Sequence, residues 1–191
     1  MSTDTAPDLP ATVLSRAAQQ LAALAHPDRM DVIGAVLRLE QAGTCSLAAL
    51  AADQRTDVRA VTRHVAVLEA AGLVRVHEHR VLPLTHVLGE TSEELLTGVP
   101  VVALLREEPD LERFFSFGRL TRVPLLNRVD ERRRLAALVV RLLPADRALT
   151  EAEVNAVLSG VMDDVAALRR FLVEEGRLTR RGAEDYRRVD A

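Results

Sequence analysis

The chain has 191 residues, 48% of them hydrophobic and 28% charged, which is enough for one large or two small folded domains. All 25 basic residues are arginine, which excludes a catalytic Schiff-base lysine and a phosphate loop that ends in Gly-Lys-Ser/Thr. Aromatic residues make up only 3%, so we do not expect stacking platforms for single-stranded nucleic acid. The single cysteine, Cys45, excludes an internal disulfide and an all-cysteine zinc site within one chain.

The net charge of −3 is distributed unevenly along the chain, and its distribution predicts three parts. The balance is −1 over residues 1–88, −6 over 89–112 and +4 over 113–191. We therefore expect a domain over 1–88, an acidic helical connector over 89–112 and a second domain over 113–191. The polar N-terminus is unlike a signal peptide, and no apolar run reaches the ~20 residues that span a bilayer. A cytoplasmic protein without a membrane partner is expected.

Apolar residues at helical spacing predict four helices in the first part, followed by a hairpin. Pro27 suits the first turn of a helix, and Ser46 is a good N-cap. The predicted helices cover residues 11–25, 27–43, 47–52 and about 57–71, and the predicted strands cover 73–76 and 81–84. A helix, a break, a second helix and then a hairpin is the order of a winged helix-turn-helix.

The fourth predicted helix has two different faces. An apolar stripe that should face the core consists of Val58, Val61, Val65 and Leu68. The opposite stripe, at positions i, i+3, i+4 and i+7, consists of Arg59, Thr62, Arg63 and Ala66. Arginine binds guanine or phosphate and small side chains allow close approach, so this stripe predicts contact with the major groove of double-stranded DNA.

Two segments, LAHPDRMDVIGAVL and TRHVAVLEAAGLVRV, resemble the arsenic-repressor-like (ArsR) winged-helix transcription regulators of bacteria. The resemblance covers roughly residues 12–85. It implies that Thr62, Arg63 and His64 belong to the helix that reads DNA, with Val65 in place of the usual leucine. It also implies a homodimer with the first helix at the interface, so Leu14 to Leu24 are the expected interface residues.

The wing and the family's usual sensor region offer further candidates. Arg75 and Arg80 of the hairpin are predicted DNA contacts near phosphate. His77 and His79 share a strand face by their spacing, and together with His86 they leave a histidine metal site conceivable. A solvated wing is the simpler interpretation, and Cys45 lacks a second thiol. We therefore expect no metal and no cofactor, and a buried Cys45.

The middle of the chain is expected to contain two short helices. A capping box of Thr91 and Glu94 predicts the start of the first, and Pro100 predicts the start of the second. Pro109 should then interrupt the chain. The apolar residues of this part need a partner surface, which is either the protein's own core or a dimer or effector contact.

Residues 113–191 predict three helices and a hairpin, again the outline of a winged helix. Thr150 and Glu153 form a second capping box. The stretches GRLTRVP, TEAEVNAVL and DVAALRRFLVEEGRLTR resemble a bacterial C-terminal domain of unknown function, over roughly 113–189. Arg169 and Arg170 are candidates for an auxiliary contact with phosphate or an acidic partner, or for ion pairs with Glu174, Glu175 or nearby Asp residues.

These observations predict a mainly helical fold with small hairpin wings, arranged as two winged-helix-like domains joined by the connector. The expected function is sequence-specific DNA binding and transcription regulation by a dimer on a palindromic operator, with a protein or small-molecule effector left open. The alternative is a non-catalytic adaptor or antitoxin whose winged helices bind protein. No enzyme is expected, because no nucleophile–base spacing, metal pair or Gly-rich loop stands out.

Overall fold

The computed structural model describes residues 9–182 and 185–189, which form a mainly helical chain with three short antiparallel hairpins. Two compact units divide the chain between Leu95 and Leu96. This division lies inside the predicted acidic connector. Among the described residues, no helix is both long enough and apolar enough to cross a membrane.

Local sequence signals set the helix ends in the N-terminal unit. Pro27 is the first residue of its helix, where a missing N–H costs no hydrogen bond. Ser46 caps the third helix, because its hydroxyl oxygen accepts a hydrogen bond from the Ala49 backbone N–H at 3.1 Å. Gly72 follows the fourth helix with a φ of +71°, which favours glycine. The elements are α1 (Ala11–Leu24), α2 (Pro27–Gln41), α3 (Leu47–Asp53), α4 (Val58–Ala70), β1 (Val74–His77), β2 (Arg80–Pro83) and α5 (His86–Thr97).

The predicted helices and hairpin of this unit are confirmed, and they enclose an aliphatic core. Its buried residues include Val32, Ala35, Val36, Leu50, Val61, Val65, Leu68, Leu73 and Val81. Cys45 is also fully buried, as predicted, and its carbonyl oxygen accepts a hydrogen bond from the Val81 N–H at 3.0 Å. This bond and a bridge between Ser46 and Arg80 attach the hairpin to the segment that leads into α3.

Three predictions in this unit are wrong. Val58 is 46% exposed, because it lies in the first turn of α4, one turn before the buried Val61. Thr91 does not cap a helix, because α5 already begins at His86 and Thr91 is buried within it. His79 lies in the turn after β1 with a φ of +66°, so it does not share a strand face with His77.

The C-terminal unit begins before the predicted second domain. Four apolar residues between 96 and 114 enter its core, namely Val101, Leu105, Leu111 and Phe114. The part of the predicted connector after residue 95 is therefore packed into this unit rather than standing apart. The elements are α6 (Pro100–Leu105), a 3-10 helix (Pro109–Phe114), β3 (Phe115–Ser116), β4 (Arg119–Leu120), α7 (Val129–Val140), α8 (Glu151–Ser159), α9 (Val165–Glu174), β5 (Leu178–Arg181) and β6 (Asp185–Arg188).

Polar side chains fix the helices of this unit. The predicted capping box is confirmed: the Glu153 N–H donates to the Thr150 hydroxyl at 3.2 Å, and the Thr150 N–H donates to the Glu153 carboxylate at 2.7 Å. Arg132 is buried, and its Nε donates to Glu175 Oε1 at 2.6 Å while its guanidinium lies 4.9 Å from the Phe171 ring centre. This buried arginine was not predicted, because the sequence presents it only as part of a basic run.

Candidate nucleic-acid interface

The first turn of α4 is fixed by a carboxylate. Asp57 precedes the helix and accepts a hydrogen bond from the Ala60 backbone N–H at 2.8 Å. This cap satisfies one of the free N–H groups at the helix start. The turn between α3 and α4 is only four residues long, so the start of α4 follows directly after the first helix of the pair.

The two faces of α4 differ as the sequence predicts. Val61, Val65 and Leu68 are buried in the core. The four predicted contacts of the opposite stripe, Arg59, Thr62, Arg63 and Ala66, are all exposed. Because the buried face fixes the rotation of the helix, the exposed stripe is presented by a rigid element.

Arg59 and Arg63 are one helical turn apart on this stripe. Within the part of the chain that the structure describes, neither side chain has a hydrogen bond or ion pair. Both line an open concavity together with Asp57, Val58 and Thr62. The guanidinium donors of both arginines are therefore available for an external acceptor.

The other two residues of the exposed stripe, Thr62 and Ala66, have small side chains. The Thr62 hydroxyl donates to the Val58 carbonyl oxygen at 2.7 Å, so its oxygen can accept but its proton is already used. Ala66 carries only a methyl group one turn further along. A nucleic-acid backbone or a base edge can therefore approach this stretch of α4 closely.

His64 is separated from the exposed stripe. It is half-buried, its Nε2 lies 3.9 Å from Asp28 Oδ2, and its ring centre lies 5.6 Å from that of His26. The reason is helical geometry, because residue 64 is on the side of α4 that faces α2. The structure thus brings Arg59, Thr62, Arg63 and Ala66 together and leaves His64 beside α2.

The two arginines of the hairpin are not equivalent. Arg75 is exposed on β1 and forms no hydrogen bond or ion pair with the other described residues. Arg80 is exposed at the start of β2, but one of its terminal nitrogens donates to both Glu40 carboxylate oxygens at 3.0 Å. The charge of Arg80 is therefore partly neutralised by α2, whereas that of Arg75 is not.

Two residues near α4 were missed by the sequence interpretation. Arg55 lies in the turn between α3 and α4, is exposed, and has a φ of +52°. The exposed Val58 adds an apolar side chain at the start of the stripe. The sequence signal for Arg55 was its position, as a basic residue inside the predicted polar break just before the fourth helix.

The candidates for a sensor do not meet. Within residues 9–182 and 185–189, no three His, Cys, Asp or Glu side chains are grouped closely enough to hold a metal ion. Burial raises the pKa of the Cys45 thiol, and the nearby Glu40 carboxylate raises it further. This thiol is therefore poorly prepared for redox chemistry.

The predicted auxiliary residues have different surroundings. Arg169 of α9 is only 15% exposed, and its Nη2 is 3.0 Å from Glu151 Oε1. Arg170 is exposed and has no hydrogen bond or ion pair with any residue that the structure describes. Arg169 thus forms an ion pair, but with Glu151 of α8 rather than with the expected Glu174, Glu175 or a nearby Asp, and Arg170 is available to a partner.

Comparison with known protein families assigns the two units separately. Residues 24–77 match the model of a helix-turn-helix domain family. Residues 119–188 match the model of a family described as an uncharacterized protein conserved in bacteria. No curated protein and no solved structure matches the chain. The predicted combination of a helix-turn-helix domain with a C-terminal domain of unknown function is therefore confirmed.

Proposed function

We propose that the chain is a sequence-specific DNA-binding transcription regulator whose α4 enters the major groove. The observation that carries this proposal is that Arg59 and Arg63, on the second helix of a helix-turn-helix domain, are exposed and have no partner among the described residues. In such domains the second helix contacts base edges and the first crosses the backbone. Thr62 and Ala66 leave room for that approach. The helix-turn-helix match points to a regulator rather than an enzyme.

Phosphate contacts are assigned to the residues around α4. Arg55 in the preceding turn and Arg75 on the wing are exposed cations on either side of the helix in sequence. Arg80 contributes less, because Glu40 already holds it. His64 stabilises the packing of α4 on α2 beside Asp28 instead of reading a base.

A homodimer on a palindromic operator is part of the proposal. Leu14 and Leu21 of α1 are 49% and 69% exposed, and Leu24 is half-buried. Large apolar side chains on one exposed helix favour burial against a second copy. Two copies of α4 related by a two-fold axis would read half-sites about one helical turn apart, ~34 Å. A cytoplasmic location follows from access to chromosomal DNA.

The C-terminal unit is assigned an auxiliary role without base reading, in a second winged-helix-like fold. Its order of elements supports that fold, since α8, α9 and the β5–β6 hairpin repeat the order of α3, α4 and the β1–β2 hairpin. A similar β-bridge attaches the hairpin in each unit. In the N-terminal unit, Ser46, the N-cap of α3, pairs with Arg80 of β2. In the C-terminal unit, Leu149, just before the N-cap of α8, pairs with Tyr186 of β6. Glu151 forms an ion pair with Arg169, whereas the arginines of α4 have no partner within the part of the chain that the structure describes.

A protein-binding adaptor is the second candidate, because the C-terminal unit exposes large apolar side chains. Leu125 and Leu126 are 73% and 80% exposed, and Phe117 is 75% exposed. An adaptor would use these residues and would leave Arg59 and Arg63 without a role.

The test is a selection of binding sites from a random duplex library with the full-length chain. The proposal predicts an enriched inverted repeat, recovered at physiological salt. A library that shows no enriched sequence, with only weak salt-dependent retention, would favour the adaptor instead.

A further inference from the structure

An open cleft lies between α9 and the β5–β6 hairpin of the C-terminal unit. Its volume is about 470 Å³, within the range of about 300–1,000 Å³ for small-molecule pockets. Three arginines line it, Arg169 and Arg170 from α9 and Arg180 from β5, together with Tyr186 from β6. The cleft is thus a concave site with three guanidinium groups at its surface.

Arg169 is held in place before any ligand arrives. Its Nη1 donates to Asn155 Oδ1, and its Nη2 is 3.0 Å from Glu151 Oε1. The Tyr186 hydroxyl donates to the other Glu151 oxygen at 3.2 Å, which fixes the carboxylate in turn. A guanidinium has five N–H donors, so these contacts orient the group without using all of them.

Arg170 and Arg180 keep most of their N–H donors unused among the described residues. Arg180 Nε donates to the Gly182 carbonyl oxygen at 2.6 Å, and its guanidinium carbon is 5.6 Å from the Tyr186 ring centre. Its two terminal nitrogens, and the whole guanidinium of Arg170, make no hydrogen bond or ion pair with the residues that the structure describes. Unused donors of this kind suit an acceptor from outside the chain.

Charge in the cleft favours an anion. Three arginines and one acidic residue, Glu174, line the cleft, and the Glu174 carboxylate also lies 3.6 Å from Arg132. Glu151 offsets the charge of Arg169, so the excess positive charge comes from Arg170 and Arg180. Several guanidinium forks that line one cleft match a group with three or more acceptor oxygens better than a two-oxygen carboxylate. A phosphate group has this number of oxygens and the higher charge.

We propose that this cleft binds the phosphate group of a small phosphorylated molecule, with Arg169, Arg170 and Arg180 as its ligands. The site is separate from α4 and does not depend on DNA reading there. A phosphate of the DNA backbone has the same chemistry. The concave shape and the largely shielded Arg169 favour a free ligand, because a duplex contacts side chains that project from a surface.

Isothermal titration of the full-length chain with inorganic pyrophosphate at low ionic strength tests the proposal. The wild-type chain binds one pyrophosphate per chain. The Arg170→Ala/Arg180→Ala variant binds it about tenfold more weakly or not at all, because it loses charge-assisted hydrogen bonds. The control Arg106→Ala/Arg122→Ala removes the same charge from exposed positions of the same unit and binds as the wild type does. Thermal melting followed by circular dichroism verifies that each variant is folded.

A second titration with duplex DNA of arbitrary sequence separates the sources of phosphate. If the cleft variant loses only duplex affinity and the wild type does not bind pyrophosphate, the free-ligand proposal is overturned in favour of a backbone contact. If neither affinity changes, or if the control loses as much, the cleft is not a phosphate site. Arg59→Ala/Arg63→Ala should leave pyrophosphate binding intact, so a failure of the DNA-reading proposal is distinguishable from a failure here.

Discussion

Arg80 at the start of β2 donates hydrogen bonds to both carboxylate oxygens of Glu40 on α2, each at 3.0 Å. The contact joins residues 40 positions apart and ties the wing to the helix that supports α4. Its electrostatic consequence is that Arg80 already has a carboxylate beside it, whereas Arg75 on the paired strand has no ion-pair partner among the described residues.

The two wing arginines should therefore respond differently to substitution. Arg75→Ala is expected to lower duplex affinity and to reduce the dependence of log affinity on log salt by about one, because one phosphate contact is lost. Arg80→Ala should change both quantities less. Fluorescence anisotropy over a salt series measures them. An equal loss in Arg80→Ala would mean that Arg80 leaves Glu40 when DNA binds.

The capping box of α8 should make stability depend on pH in a defined window. The Arg147 side chain, and hydrogen bonds from Thr150, lower the pKa of Glu153 from its ordinary 4.5 to about 2. A carboxyl group with a lowered folded-state pKa stabilises the fold above its unfolded pKa, and this contribution disappears as pH falls through the folded value. Glu153→Gln should thus be less stable than the wild type near neutral pH, and the difference should shrink between pH 4.5 and 2.

Urea unfolding at a series of pH values measures that difference. Glu90→Gln, at an exposed position of α5, removes one carboxylate elsewhere and serves as the matched control. A constant gap between the wild type and Glu153→Gln across the window would show that the charge of Glu153 does not stabilise α8.

Dimer formation should depend on the exposed leucines of α1. Leu21→Glu places a charge at a position that is 69% exposed in the chain, so the fold should be kept while an apolar interface is lost. Sedimentation at micromolar protein should report a dimer for the wild type and a monomer for this variant. Met30→Glu, at a 51% exposed position of α2, should remain dimeric. A monomeric wild type would contradict the proposed arrangement.

Metal removal should have no effect. We expect a chelator to leave both duplex affinity and the thermal midpoint unchanged, because Cys45 has no second thiol and His77 and His79 lie on different elements. Elemental analysis of protein purified without added metal provides the check. Stoichiometric zinc that disappears in His77→Ala/His79→Ala would overturn this expectation.

The elements of the fold were predictable because their signals are local. Ser46 and the Thr150–Glu153 pair mark helix starts through hydrogen bonds within three residues, Pro27 does so through its fixed φ, and apolar spacing marks the buried faces. What the sequence did not reveal depends on distant contacts. The packing of residues 96–112 into the C-terminal core and the Arg80–Glu40 pair arise only when separated segments meet.

The cap of a helix does not by itself distinguish α4 from α9. Asp163 and Asp164 lie at the start of α9, where carboxylates repel phosphate and so disfavour base reading. Both helices begin with an aspartate cap. Asp57 accepts a hydrogen bond from the Ala60 N–H at 2.8 Å in α4, and Asp164 accepts one from the Ala167 N–H at 2.9 Å in α9. The ion pairing of the arginines distinguishes α4 from α9 more clearly. Glu151 pairs with Arg169 of α9, while Arg59 and Arg63 of α4 have no partner among the described residues.

DNA reading by Arg59 and Arg63 is tested most directly by the affinity of the Arg59→Ala/Arg63→Ala variant of the whole chain for the selected operator. Each base-reading arginine is worth about 1–3 kcal/mol. The variant should therefore bind the operator no better than unrelated duplex, with the thermal midpoint of the wild type, because neither side chain is in the core. Arg106→Ala/Arg122→Ala, which removes the same charge elsewhere, should keep operator binding. Unchanged operator affinity and preference in the Arg59→Ala/Arg63→Ala variant would contradict the account.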